Sequence, residues 1–165
     1  SNIRDEELRA HDFHYLASGQ FENNRETIQS AANNGVFFSD TDVMVTKVYA
    51  EHYLDGEDYD ALTPTYDLLI KRQKWDLILV IPPVTPYVND SFRDMSYSDD
   101  AARWAMHERF IQEIEVNGLS DKMHIVAGEA SKDSDYDPIG FYSRYQQART
   151  IVKDYIKKTQ DVDLV

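Results

Sequence analysis

The sequence contains no cysteine, which excludes a disulfide framework and any zinc or thiolate chemistry built on that residue. Basic residues are also few, with 17 against 30 acidic ones, so the net charge is −13. Proteins that bind duplex DNA or a membrane surface present clustered Lys and Arg to phosphates. The acidic balance therefore argues against both partners. A cysteine-free chain fits a reducing compartment, and we predict a cytoplasmic location.

Long hydrophobic runs are missing as well. The longest purely apolar run covers residues 77–81, whereas a membrane-spanning helix needs about 20 apolar residues. We therefore expect neither a membrane span nor a signal peptide. The length of 165 residues predicts a single domain over residues 1–165, with residues 159–165 as a frayed tail.

Glycine is scarce, and none of the six glycines belongs to a recognisable catalytic or nucleotide-binding motif. The patterns G-x-x-x-x-G-K-[ST], G-x-G-x-x-G and G-x-S-x-G are all absent. The five histidines have no metal-ligand spacing, since the pair His11 and His14 lacks a third ligand. Nucleophilic hydrolysis and dinucleotide binding thus have no positive support.

Helical patterns alternate with short apolar runs along the chain. Gly19 and Gly35 are predicted to end two helices, and Pro64 to open a helix after a polar loop at 55–63. Predicted helices cover 5–18, 22–33, the run after 39–42, 64–73, 101–116 and 138–158, and predicted strands cover 36–38, 75–81 and 122–127. The unalternating run at 75–81 is typical of a parallel strand covered on both faces.

This alternation predicts an α/β fold with a parallel sheet and flanking helices. In such sheets, ligands bind outside the carboxyl ends of the strands. The residues directly after Phe38, Ile81 and Ala127 are therefore the first candidates for a functional site.

The first candidate is the acidic turn, residues 39–42, which contains Asp40 and Asp42. A carboxylate at the end of a strand can hold a hydrated Mg²⁺ or accept a proton from a substrate hydroxyl. The alternative is that Asp40, Thr41 or Asp42 only caps the helix that follows.

The second candidate is the loop at 82–94, where three prolines restrict the chain. Tyr87 could stack on a planar ring, Asp90 could accept hydrogen bonds from ribose hydroxyls, and Arg93 could bind phosphate. The alternative is a surface loop with an ion pair of little energetic worth.

A third candidate is the helix with Arg103, His107 and Arg109, whose basic groups could close over phosphates or could belong to a solvated face.

Three segments together resemble the nicotinamide riboside (ribosylnicotinamide) kinase domain of NadR-type NAD-salvage proteins, a P-loop kinase family. They are residues 12–20 (DFHYLASGQ), residues 38–42 (FSDTD) with Thr46, Lys47, Val48, Tyr49 and Tyr53, and residues 86–90 (PYVND) with Arg93 and Asp94. The resemblance runs from about Asp12 to Ile156.

The resemblance implies a three-layer P-loop-kinase-like fold and ATP-dependent phosphorylation of the ribose 5′-hydroxyl of nicotinamide riboside. ATP and Mg²⁺ would be the cofactors. It implies that Asp40 serves the hydroxyl or Mg²⁺, and that Asp42, Tyr87, Asp90 and Arg93 bind the substrate. Arg103 and Arg109 would belong to the lid, and Arg144 to the segment near the adenine.

One departure from the family concerns its phosphate-binding loop, which should precede the segment that begins here and which none of the glycines can supply. We therefore expect a partial kinase domain that lacks its central strand, with the substrate-binding and lid parts present. An upstream adenylyltransferase domain or a second chain could complete it. The alternatives are a kinase of another nucleoside and a non-catalytic ligand-binding or regulatory module.

Overall fold

The computed structural model describes residues 9–31, 35–85, 98–129 and 140–160. These residues form five α-helices and two short strands, with a single 3-10 turn at Ser120–Lys122 before the second strand. The elements are α1 (Ala10–Ala31), α2 (Val43–Tyr53), α3 (Gly56–Arg72), β1 (Ile78–Val80), α4 (Asp100–Val116), β2 (Met123–Ile125) and α5 (Phe141–Gln160). The chain divides into two compact units, of which the first contains α1 to α4 and the second contains β1, β2 and α5.

In the first unit, α2 is the central helix and packs against α1, α3 and α4. It is buried on more than one side, because Val43, Lys47, Val48 and Ala50 are all removed from solvent. The core around it is completed by Phe13 and Ala17 of α1, Tyr66 and Ile70 of α3, and Ile114 of α4. Burial of this apolar surface is the main term that stabilises the unit.

In the second unit, β1 and β2 pair in parallel, with Ile78 opposite Met123 and Val80 opposite Ile125. The backbone N–H of Val126 continues the ladder by donating to the carbonyl of Val80 at 2.8 Å. β1 is only half-buried, although its sequence predicted a strand covered on both faces. Covering both faces takes helices on both sides, and α5 is the one α-helix that the structure describes in this unit.

Two predicted helix boundaries are wrong. Gly19 does not end a helix, because α1 runs through it without interruption. A glycine inside a helix costs only about 1 kcal/mol relative to alanine, and the helix-favouring residues around Gly19 outweigh that cost. Pro64 does not open α3 but lies in its interior, and the predicted loop at 55–63 forms the first turns of that helix.

The early start of α3 has a local cause. The Asp55 side chain caps the helix by accepting from the N–H of Asp58 at 2.9 Å, and Glu57 and Asp58 suit the positive end of the helix dipole. Pro64 is exposed, as is Asp60, whose carbonyl loses its helical partner. Because both residues lie on the exposed side of α3 and not in the core, the missing N–H of Pro64 is tolerated.

The predicted strand at 36–38 is also absent from the described residues, where β1 and β2 are the only strands. Phe38 exposes 68% of its surface and Val36 exposes 45%. A short apolar run becomes a strand only where another strand pairs with it, and β1 and β2 pair with each other. The remaining prediction of an α/β fold with a parallel sheet is confirmed.

The sequence predicts no membrane span, and the helices of the structure bear on this prediction. None of the helices that the structure describes is both long enough and apolar enough to cross a bilayer.

Candidate functional site

The acidic turn leads directly into α2. The Oδ1 of Asp42 accepts a hydrogen bond from the backbone N–H of Val45 at 3.2 Å, and Asp42 is only 8% exposed. Asp42 is therefore the helix cap that was one of the two sequence interpretations. Asp40 is exposed, and its carboxylate makes no hydrogen bond or ion pair to any of the residues described here. Of the two carboxylates, Asp40 is the one open to a ligand.

Side chains of α1 bind the acidic turn on both sides of Asp40. The hydroxyl of Thr41 donates to Oε1 of Gln20 at 3.3 Å, and the hydroxyl of Ser39 lies 3.2 Å from Oδ1 of Asn24. Gln20 and Asn24 are themselves joined by a hydrogen bond of 3.0 Å from Nε2 to Oδ1. The turn that presents Asp40 is thus attached to a helix of the same unit.

A charge network centred on the buried carboxylate of Glu113 connects α2, α3 and α4. Nζ of Lys47 lies 2.7 Å from Glu113 and 3.0 Å from Asp67, and Arg109 forms ion pairs with Glu113 at 3.0 Å and with Glu51. Asn117 donates a further hydrogen bond to the Glu113 carboxylate at 3.1 Å. The Glu113 carboxylate therefore forms ion pairs with two cations and accepts a hydrogen bond from one amide inside the helical unit.

The pKa values of both cations reflect this network. Burial alone would lower the pKa of Lys47, but its hydrogen bonds to Glu113 and Asp67 outweigh burial and raise the pKa above its usual value. For Arg109 the same opposition, with Glu51 and Glu113 as partners, also raises the pKa. Both side chains are therefore held in the charged form.

The contacts between α2 and α4 show that the two helices run antiparallel. Positions later in α2 meet positions earlier in α4: Lys47 meets Glu113, Tyr49 meets Phe110 with ring centroids 5.8 Å apart, and Glu51 meets Arg109. The amino end of α4 therefore points toward the carboxyl end of α2.

This direction separates the two predicted lid arginines from Asp40. Glu51, the partner of Arg109, lies nine residues after Asp42, which corresponds to about 13 Å along α2. Arg103 lies about 9 Å further along α4 and pairs with Asp100 at 3.0 Å. The structure thus does not bring Arg103 and Arg109 to the acidic turn, and their lid role stays a prediction.

In the second unit, the chain that leaves β2 binds the start of α5. The N–H of Gly128 donates to Oε1 of Gln147 at 3.1 Å, and the N–H of Glu129 donates to the hydroxyl of Ser143 at 2.9 Å. A Cβ on Gly128 would lie 2.5 Å from Cγ of Arg144 and 2.8 Å from its backbone nitrogen. Arg144 is therefore packed directly against the loop after β2, and its place near the adenine stays a prediction.

Three aromatic side chains at the start of α5 face solvent. Phe141, Tyr142 and Tyr145 are each more than half exposed, and the rings of Tyr142 and Tyr145 are 6.4 Å apart. The second unit thus presents aromatic surface beside Arg144.

Tyr87, Asp90 and Arg93 lie outside the described residues. The predicted meeting of Asp40, Tyr87 and Asp90 in one pocket therefore stays a prediction, as do the binding roles of the three residues. In the described part of the chain, no group of three or more His, Cys, Asp and Glu side chains could hold a metal ion by itself.

Sequence reasoning missed the roles of Gln20, Asn24 and Glu113. The first two were detectable in part, because amides four residues apart share one face of a helix. The partner of Glu113 was not, since Lys47 is 66 positions away and no local pattern connects them.

The comparisons with known proteins agree with the resemblance. The family described as "AAA domain" matches residues 2–131. A solved structure of NadR protein in complex with NR is 32% identical, with a TM-score of 0.74, and the match covers 99% of this chain and 41% of that chain. A second, of NadR protein in complex with NAD and AMP-PNP, is 31% identical, with a TM-score of 0.73, over 99% of this chain and 39% of that chain.

The chain therefore spans about two fifths of the length of these solved proteins. No curated protein sequence matches it. The family match covers well over half of the chain, and the two solved structures match nearly all of it. The chain belongs to the AAA domain family, and its resemblance to NadR-type proteins is confirmed.

Proposed function

We propose that this chain is the substrate-binding and lid part of a nicotinamide riboside kinase, which transfers the γ-phosphoryl group of ATP to the ribose 5′-hydroxyl. The observation that carries the proposal is the match of 99% of the chain, at a TM-score of 0.74, to a NadR protein in complex with NR. The match to a NadR protein with AMP-PNP supports ATP as the phosphoryl donor.

Asp40 is the proposed catalytic residue. Its carboxylate is exposed in the acidic turn, where it can accept the proton of the attacking hydroxyl. Asp42 contributes at the same turn by capping α2, with one oxygen engaged by Val45. Phosphoryl transfer depends mainly on positioning and on charge, so the fixed backbone around Asp40 suits this chemistry.

Asp40 would also hold Mg²⁺. This cation keeps several waters and binds through one or two carboxylates together with substrate phosphates, so a single exposed carboxylate fits it without a protein cage. When bound, the cation neutralises charge on the transferred phosphoryl group.

The remaining binding roles are proposals from the resemblance. Tyr87 would stack on the nicotinamide ring, Asp90 would accept hydrogen bonds from the ribose, and Arg93 would bind phosphate. Arg103, Arg109 and Arg144 would serve the nucleotide, and for Arg109 this requires release from Glu51 and Glu113. An upstream segment or a second chain would supply the phosphate-binding loop, an upstream adenylyltransferase domain would be a further partner, and the location would be cytoplasmic.

Calorimetric titration of the 165-residue chain with nicotinamide riboside and with ATP–Mg²⁺, each alone, tests the proposal. We expect the riboside to bind and Asp40→Asn to weaken this binding, while Asp60→Asn, an exposed acid in α3, leaves it unchanged. Preference for another nucleoside would favour a different nucleoside kinase. Binding of neither ligand would contradict the proposal and favour a non-catalytic module.

A further inference from the structure

Two amide side chains occupy one face of α1 at positions 20 and 24. The Nε2 of Gln20 donates to Oδ1 of Asn24 at 3.0 Å, as expected for residues one helical turn apart. Gln20 ends the first segment that resembles the NadR-type family, and the proposed function gives that segment no role.

The pair is placed against the acidic turn rather than against solvent. Gln20 accepts from the hydroxyl of Thr41. The hydroxyl of Ser39 donates to the carbonyl of Thr41 at 2.5 Å, and Oδ1 of Asn24 lies 3.2 Å from the same hydroxyl as a second, longer acceptor. These contacts hold the residues directly before and after Asp40, and Asp40 itself stays exposed. The Asp42 cap then fixes the carboxyl end of the turn to α2.

Asn24 is a polar side chain at a buried position, where an apolar side chain would be expected if packing were its only role. It is 4% exposed, and its Nδ2 is buried with no hydrogen-bond partner in the described ranges. A buried unpaired donor costs about 1–3 kcal/mol, which an apolar side chain of similar size would not. An amide at this position is therefore better explained by what its Oδ1 binds than by stability.

We propose that Gln20 and Asn24 are positioning residues that set the conformation of the acidic turn and so orient Asp40 toward the substrate hydroxyl. The inference rests on the proposed function, because Asp40 needs a substrate to act on. Displacement of a catalytic group by about 1 Å can lower a rate by about 100-fold, so a turn tied on both sides of Asp40 has a direct chemical effect.

The test uses Gln20→Met, which keeps the length of the side chain and removes both hydrogen bonds. Thr41→Val removes the hydroxyl at the other end of one bond, and Thr41→Ser restores it. Gln112→Met, at an exposed position of α4, is the matched control. Each variant is measured for affinity to nicotinamide riboside by calorimetry, for amide hydrogen exchange in residues 39–42, and for the urea midpoint of unfolding.

We expect Gln20→Met and Thr41→Val each to weaken riboside affinity about tenfold and to speed exchange in the acidic turn, with the urea midpoint near that of the parent. The double variant should be no worse than Gln20→Met alone, since the one bond that Thr41→Val removes is already absent in Gln20→Met. Thr41→Ser should restore affinity and protection, and Gln112→Met should change neither.

Unchanged exchange in Gln20→Met would overturn the inference, as would affinity that falls only together with the urea midpoint. The two proposals fail differently. A parent protein that binds no riboside refutes the proposed function, whereas the exchange rates in residues 39–42 still decide whether Gln20, with its bonds to Asn24 and Thr41, holds the turn.

Discussion

At the scale of single residues, Glu113 is the acid that binds the most partners in the charge network of the helical unit. Its side chain is 3% exposed and lies between Lys47 and Arg109, with Asn117 as a third partner. A buried ion pair adds little when both partners can be replaced by apolar groups, but removal of one partner leaves a buried charge uncompensated. Loss of the Glu113 carboxylate would therefore leave the positive charges of Lys47 and Arg109 less well compensated.

Substitution of Glu113 by Gln is expected to lower the free energy of unfolding by about 2 kcal/mol. The cost is moderate because Lys47 keeps Asp67 and Arg109 keeps Glu51. Urea denaturation measures the change, and Glu115→Gln, an exposed position of the same helix, is the control. Equal stabilities of the two variants would contradict a structural role for Glu113.

Contacts between residues close in the sequence could be predicted, whereas contacts between distant residues could not. Asp42 could be predicted as a cap because its partner Val45 is three residues away and the pattern is local. The pairing of Lys47 with Glu113 could not, because it exists only after α2 and α4 have packed antiparallel. The exposure of Asp40 likewise depends on packing that no short pattern reports.

At the scale of elements, hydrophobic periodicity predicts most helices and strands correctly, whereas single Gly and Pro residues are weaker indicators of helix ends. Helices α2, α4 and α5 and the parallel pair β1–β2 follow the predicted runs within a few residues. Apart from the predicted strand at 36–38, the errors fall at Gly19 and Pro64, which are predicted boundaries although α1 and α3 continue through them. The cost of either residue in a helix is a few kcal/mol at most, and packing of a whole helix face exceeds it.

Gly128 provides an element-scale prediction, because it touches the first turns of α5. Gly128→Ala should lower the melting temperature of the protein by more than Gly118→Ala does. Gly118 is a positive-φ glycine of the first unit with open space around it. Both residues have positive φ, +67° and +72°, so both variants carry a strain of about 1–2 kcal/mol. Only at Gly128 does the new Cβ also meet Arg144.

The measurement is amide hydrogen exchange along α5, together with thermal unfolding. Faster exchange in α5 for Gly128→Ala, together with a larger fall in melting temperature than Gly118→Ala causes, would agree with close contact between the loop after β2 and this helix. Equal effects of both substitutions would show that backbone strain alone accounts for the loss.

At the scale of the whole molecule, net charge is the property with the widest effect. A charge of −13 produces a negative potential around the protein, which attracts cations and repels anions until salt screens it. Nicotinamide riboside carries a positive pyridinium ring, whereas ATP is strongly anionic. The two proposed ligands should therefore respond to ionic strength in opposite directions.

We expect affinity for nicotinamide riboside to fall about threefold between roughly 0.05 M and 0.5 M salt. Calorimetry at several salt concentrations measures the slope, and the uncharged dihydro form of the riboside is the matched ligand control. A flat response to salt for the cationic riboside would contradict a contribution of the protein's overall charge to its capture.

The enclosure of Lys47 has a further consequence for chemical probing. Reagents that acylate amines react with the neutral form, and Lys47 is both charged and hidden between two acids, whereas Lys71 and Lys74 are exposed. Mass spectrometry after brief acylation should find Lys71 and Lys74 modified long before Lys47. The extent of modification at Lys47 would then report loosening of the helical unit without any ligand or assay of turnover.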